Sequence, residues 1–263
     1  MAIEREQSPS VSTFTRYGPE GSVLKLEKIG NKPSAFFVAG IHGDEHEVID
    51  LVRKTLDEKI GTAPHVFGSH ARVLEAHPKA ISLKSRKAGD IDLNRQFVGK
   101  ERPDHPQAKL LADCFLEHSN VHTVFSFHED PEEDRFYLYH QAVRDDAGEM
   151  DTYIETLIDR LVSRVESEGI SLYDGIDDID LGYLVKRGFC AVASDAMHDN
   201  TFEMWALQKN LHNHPNIRRT FLFEIPGKLS AARKEAVVRM IMDEFVEPYM
   251  ENISSTTKKN NTE

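Results

Sequence analysis

The chain has 263 residues, 40% hydrophobic and 29% charged, which is an ordinary balance for a globular protein able to bury a sizeable core. A net charge of −12 with no lysine or arginine run argues against a nucleic-acid partner held by phosphate contacts. Two distant cysteines, no apolar leader and no apolar run long enough to span a bilayer predict a reduced, cytoplasmic protein with no membrane partner.

Residues 23–29 alternate apolar and polar and read as an early edge strand; residues 35–39 are continuously apolar, as in a strand covered on both faces. Residues 47–57 place Val48, Ile49, Leu51, Val52 and Leu56 at helical spacing. A short strand follows at 71–76, a helix at 107–117, and a central strand at 121–127 that ends on His128. Residues 136–140 read as a strand, 150–166 as a long amphipathic helix, 219–223 as a strand ending on Glu224, and 231–249 as the closing helix. This alternation predicts an α/β fold, a mixed and mostly parallel central sheet flanked by helices. Residues 1–251 read as a single hydrolase domain and the polar residues 252–263 as a disordered tail.

The chemistry concentrates where predicted strands end. His42, His128 and Glu224 each follow the carboxyl end of a strand, where open α/β sheets form their ligand crevice. His42, Glu45 and His128 are two imidazoles and a carboxylate, the set that holds one catalytic Zn²⁺ while leaving a position for water. Gly40 and Gly43 permit the tight turn that brings His42 and Glu45 to one ion. Such a metal lowers the pKa of its water, and Glu224 is the candidate to take the proton and return it to a leaving amine. Residues 42–46 also match H-x-x-E-H, with Glu45 as base, but that motif needs a helix. Gly43 and the preceding strand argue for a turn. Glu129 or Asp130 is a candidate partner for a metal-binding imidazole, and Asp174, Asp177, Asp178 and Asp180 read as an acidic loop. His212 and His214 read as loop residues.

Four motifs in order, His42-Gly43-Asp44-Glu45, Asp92-Leu93-Asn94-Arg95, Phe125-Ser126-Phe127-His128 and Phe221-Leu222-Phe223-Glu224, resemble the zinc carboxypeptidase superfamily. This includes carboxypeptidase A-like enzymes and the succinylglutamate desuccinylase/aspartoacylase branch. The resemblance implies that His42, Glu45 and His128 are metal ligands and Glu224 the catalytic carboxylate. It also implies that Asn94 and Arg95 hold a free substrate carboxylate, and that Arg86 polarises the scissile carbonyl. An arginine fork beside an amide is physically suited to gripping a carboxylate. The segment from Asn200 to Trp205 is similar to one that precedes the catalytic glutamate in carboxypeptidases, with Trp205 either at a specificity pocket or in the core. The superfamily's active-site tyrosine has no clear match; Tyr183 and His198 lie in its region. Desuccinylases and aspartoacylases carry a second, mostly β domain after that glutamate. Only a helix and a tail follow Glu224, which implies a more open site.

The expected activity is zinc-dependent hydrolysis of an amide bond next to a free carboxylate, carboxypeptidase-like, on a peptide or small-molecule substrate. The alternatives are an N-acyl amino acid deacylase and a non-catalytic metal- or ligand-binding protein on the same fold. The intact Glu224 argues against the last.

Overall fold

A computed structural model of the chain describes residues 9–99, 102–142, 149–177, 183–193, 200–207 and 217–260. In chain order the elements are β1 (Val11–Tyr17), β2 (Val23–Ile29), β3 (Ala35–Ala39), α1 (His46–Thr62), α2 (Pro64–Phe67), β4 (His70–Val73) and α3 (Pro78–Leu83). There follow a 3₁₀ turn at Leu93–Arg95, α4 (Pro106–Leu116), β5 (Thr123–Asp130), β6 (Tyr137–Ala142) and α5 (Glu149–Ser167). The chain closes with β7 (Gly175–Ile176), β8 (Leu184–Val185), β9 (Phe189–Ala193), α6 (Phe202–Ala206), β10 (Arg219–Pro226), α7 (Ala231–Ile241) and α8 (Glu247–Asn260).

Eight strands form one mixed sheet in the order β1-β2-β4-β3-β5-β10-β6-β9. Its centre, from β4 through β3 and β5 to β10, is parallel. β2 pairs antiparallel with both β1 and β4, β6 runs antiparallel to β10, and β9 runs parallel to β6. The predicted fold class is therefore the observed one.

Period-two alternation in the central strands sorts side chains between the faces. Phe37, Phe125, Phe127, Phe221 and Phe223 point to one face and pack under α1, α5, α7 and α8 through Val48, Ile154, Val237 and Tyr249. Phe36, Val38 and Val124 point to the other face, toward Phe115 of α4 and Phe202 and Trp205 of α6. The same parity places Ser126, His128, Leu222, Glu224, Tyr137 and Tyr139 on the second face. Toward β10 and β6 this face carries a smaller cluster of Tyr137, Tyr139, Leu222, Met204 and Val185, and the site lies there.

Several boundaries differ from the sequence reading. β5 and β10 do not stop before His128 and Glu224 but run on to Asp130 and Pro226. The ladder between β5 and β10 continues through the register pair Glu224↔His128, so a polar side chain turned to the cleft does not end the strand. β4 ends at Val73, short of the predicted 76. β1 carries no buried alternating face, and β9 alternates only over Cys190 to Val192, a run too short to read as a strand from hydrophobic period. The closing helix passes through a π turn at Met242–Val246 and then continues to Asn260, where the sequence predicts a disordered tail from 252. Ile253 packs against the core cluster, which extends the helix past Tyr249. Among the described residues, no helix is long and apolar enough to cross a membrane.

Candidate active site

The turn after β3 is set by two glycines. Gly40 has φ +66°, a left-handed conformation that favours glycine. At Gly43 a Cβ would stand 2.0 Å from the Ala80 carbonyl carbon, so only glycine lets this turn lie against α3. His42 to Asp44 form bends and α1 starts at His46, with Glu45 at its N-cap position. The segment therefore does not lie on the helix that the H-x-x-E-H reading requires. His46 Nδ1 faces the Asp44 carbonyl at 3.4 Å instead.

His42, Glu45 and His128 converge in this turn and on β5, all three buried, with one ligand atom from each within 4.8 Å of the others. His42 Nδ1 lies 2.5 Å from Glu45 Oε1, and His128 Nδ1 lies 3.1 Å from Glu45 Oε2. That Oε2 is buried yet makes no properly aligned hydrogen bond. A buried carboxylate oxygen left in this state beside two imidazole nitrogens fits a missing cation. Burial works against charge on all three groups. Mutual attraction outweighs it, holding the Glu45 carboxyl down to about 2 and raising both imidazoles. An environment that retains protons on two rings is one that a divalent cation would occupy in their place.

Both imidazoles use their outer nitrogen on a carboxylate. His42 Nε2 lies 3.2 Å from Asp92 Oδ1, and that oxygen also accepts the Asn94 N–H (3.0 Å) that caps the 3₁₀ turn. Arg86 Nε donates to the other Asp92 oxygen at 3.3 Å. His128 Nε2 lies 3.3 Å from Oε1 of Glu203, a fully buried carboxylate on α6. Glu203 also accepts from Ser126 Oγ at 2.5 Å and from Asn94 Nδ2 at 3.4 Å. Burial would raise the Glu203 carboxyl; its bonds to His128 and Ser126 hold it below the usual range. These partners fix both rings with Nδ1 inward and hold the other ring nitrogen on a carboxylate, the arrangement common behind metal-binding histidines.

Glu203 was missed by sequence reasoning, which considered Glu129 and Asp130 for this part. Glu129 instead bonds Lys234 Nζ at 2.7 Å, and Asp130 accepts from Tyr137 Oη at 2.9 Å. The signal that could have found Glu203 is its place amid Phe202, Met204 and Trp205, where an unpaired carboxylate would be costly. Trp205 itself is core, packed against Phe97 and Phe115. His198, His212 and His214 lie outside the described residues.

Glu224 sits one strand over from His128, on the same face. Burial pushes its carboxyl up to about 8; His128 opposes this, while Glu45, Asp130 and Asp177 add to it. A carboxyl poised near neutrality can both take and give a proton. Arg86, Asn94 and Arg95 line the same cavity, of about 250 Å³, as His42, Glu45, His128 and Glu224. All seven residues singled out in the sequence therefore share one site. Asn94 is partly committed: its Oδ1 accepts the Phe202 N–H at 2.9 Å and one amide hydrogen serves Glu203. Arg95 Nη1 donates to the Asn94 carbonyl. The far wall of the cavity, Tyr137, Tyr139, Gln141, Asp177, Tyr183 and Leu222, was not assigned from sequence, except that Tyr183 was placed in the region.

The family model for the succinylglutamate desuccinylase/aspartoacylase catalytic domain matches residues 31–165, just over half of the chain. No curated protein sequence matches. Among solved structures, a candidate metallopeptidase from Shewanella denitrificans superposes with a TM-score of 0.65 at 18% identity, covering 90% of this chain and 83% of the other. A metallo-carboxypeptidase from Burkholderia cenocepacia gives 0.60 at 13% identity, covering 95% and 65%. The succinylglutamate desuccinylase of Chromobacterium violaceum gives 0.53 at 13% identity, covering 92% and 71%. At these identities the structural likeness establishes the fold alone.

Proposed function

Because the chain belongs to the succinylglutamate desuccinylase/aspartoacylase catalytic-domain family, we propose that it is a zinc-dependent metallohydrolase cleaving an amide bond next to a free carboxylate. The observation that carries this reading is the pairing of Glu224, a partly buried carboxyl raised to about 8, with the His42–Glu45–His128 cluster on one sheet face. A sensor or storage site needs the cluster but has no use for a proton shuttle beside it.

His42, Glu45 and His128 would hold the ion; when bound, Zn²⁺ supplies Lewis-acid polarisation and acidifies a water toward neutrality. Arg95, with the remaining amide hydrogen of Asn94, receives the substrate carboxylate and so fixes the scissile bond relative to Glu224. Arg86, held by Asp92 and still about half exposed, donates toward the developing carbonyl oxyanion. Glu224 accepts the proton from the attacking water and delivers it to the leaving amine, so it ends each cycle in its starting state. The bond broken is either a C-terminal peptide bond or the N-acyl bond of an amino acid.

Metal analysis of purified protein, followed by a panel of peptides and N-acyl amino acids with Glu224→Gln as control, tests the proposal. Stoichiometric zinc and turnover lost in the control are expected. Full metal with no turnover on any amide would establish a binding protein instead.

A further inference from the structure

The cavity is electrically lopsided. Among the described residues, the only arginines or lysines that line it are Arg86 and Arg95, both on the wall beside the metal-binding turn. The opposite wall is built on β6, two strands from His128. In register, Tyr137 lies beside Glu224 and Tyr139 beside Leu222, and the shared parity brings Tyr137, Tyr139 and Gln141 to the cavity face. At about 4.8 Å per strand this wall stands roughly 10 Å from the metal cluster, within reach of one amino-acid side chain.

Two carboxylates stand at this wall. Asp130 is committed, with one oxygen taking the Tyr137 hydroxyl and the other the Glu132 N–H. Asp177, half-buried at the end of β7, receives the Tyr139 hydroxyl on Oδ2, which leaves Oδ1 as an acceptor. Its backbone N–H is tied to the Tyr183 carbonyl at 3.0 Å, so the carboxylate is held in place rather than carried on a free tip. The rings around it are contiguous: Tyr139 meets Tyr183 at 5.5 Å and Tyr137 at 5.9 Å, centroid to centroid. Tyrosine faces beside a carboxylate form an environment for an organic cation, through ring quadrupole and charge together. A carboxylate placed there would meet Asp177, and among the described residues that line the cavity no cation on this wall offsets it.

We propose that the Tyr137–Tyr139–Tyr183–Asp177 wall is a cation subsite, and that the substrate carries an ammonium or guanidinium side chain as well as the carboxylate bound at Arg95. The preferred leaving group is then a basic amino acid, not a dicarboxylic one. This rests on the metallohydrolase reading for turnover, but not for binding.

The two are separated by testing binding and turnover on the metal-loaded full-length protein. Calorimetry compares L-lysine, L-norleucine and L-glutamate. Kinetics compares amide substrates whose leaving group is each of the three. Lysine is expected to lead norleucine by at least about tenfold in Kd and in kcat/KM, with glutamate last. In Asp177→Asn the lysine-to-norleucine ratio falls toward one. In Asp177→Lys the order reverses in favour of glutamate, a gain that misfolding cannot imitate. Norleucine matching lysine in the wild type, or Asp177→Asn leaving their ratio unchanged, overturns the subsite. Turnover without cation preference retains the hydrolase and removes the subsite. Lysine-selective binding without turnover does the reverse, and no binding of any of the three removes the subsite.

Discussion

Replacing Glu203 by glutamine tests whether the buried carboxylate behind His128 sets the metal site. The substitution conserves the shape of a fully buried side chain, so it opens no cavity. It removes a charge that three groups use: Ser126 Oγ, His128 Nε2 and Asn94 Nδ2. A glutamine has one acceptor oxygen and turns an NH₂ toward a neighbourhood already rich in donors. Loss of one charge-assisted hydrogen bond to the imidazole is worth about 1.5–3 kcal/mol. That corresponds to a metal affinity lowered by roughly 10- to 100-fold, the range expected when a histidine loses its outer partner. The assay is a chelator-competition titration of zinc, run alongside far-ultraviolet circular dichroism to establish that the fold persists. Affinity within about threefold of wild type in a folded Glu203→Gln protein would refute the reasoning. Asp92→Asn serves as the parallel case on His42. Loss there is expected to include weaker substrate binding, since Asp92 also holds Arg86 and the 3₁₀ turn that carries Asn94 and Arg95.

Glu45→Gln is expected to reduce bound zinc, measured by elemental analysis; full metal with activity lost would return Glu45 to the role of base. Glu224→Gln should retain metal and lose at least about 100-fold in kcat. The same variant carries a pH signature in the metal-free protein. The Glu224 carboxyl is raised from 4.5 to about 8 on folding, so the folded state binds the extra proton between those values. The charge-forming cost therefore grows as pH rises through that window, by a few kcal/mol at most. Glu224→Gln should raise the Tm of chelator-treated protein at pH 8 and change it little at pH 5; an equal shift at both would contradict the burial of this group. Lys234, buried with Nζ at 2.7 Å from both Glu129 and Glu47, is a structural counterion on the far side of β5. Lys234→Ala leaves Glu129 buried and unpaired, and should cost about 3–5 kcal/mol in denaturant unfolding, with partial recovery in a Lys234→Met/Glu129→Gln double variant.

The sheet was legible because its central strands are long apolar runs and its helices carry clear 3.6-residue periods. The edges were not. β1 exposes nearly all of its residues, and β9 is too short for its alternation of Cys190 and Val192 to stand out in the sequence. The candidate metal cluster was legible for a different reason. Two ligands three residues apart must share one turn, and the glycines that allow that turn stand in the same segment. His128 and Glu224 were then found at strand ends, a placement that is right for their side chains and wrong for their backbones, since the ladder between them continues.

Glu203 and Asp177 illustrate what spacing cannot reveal. Each acts on a group distant in sequence: Glu203 on His128 across 75 residues, and Asp177 on Tyr139 across 38. Neither lies in a motif, because a carboxylate behind a ligand can come from any element that reaches it. The match to the family ends at residue 165, so it includes the three ligands and the Asn94–Arg95 pair but not Glu203, Asp177 or Glu224. The matched part of the chain therefore holds the candidate ligands together with Tyr137 and Tyr139. Glu203, which accepts from His128, and the proposed proton carrier Glu224 and cation partner Asp177 lie beyond it. Chemistry and substrate choice can then diverge within one family. On the proposed reading, a relative that keeps residues 31–165 and Glu224 while exchanging Asp177 would retain the reaction and change what it acts on.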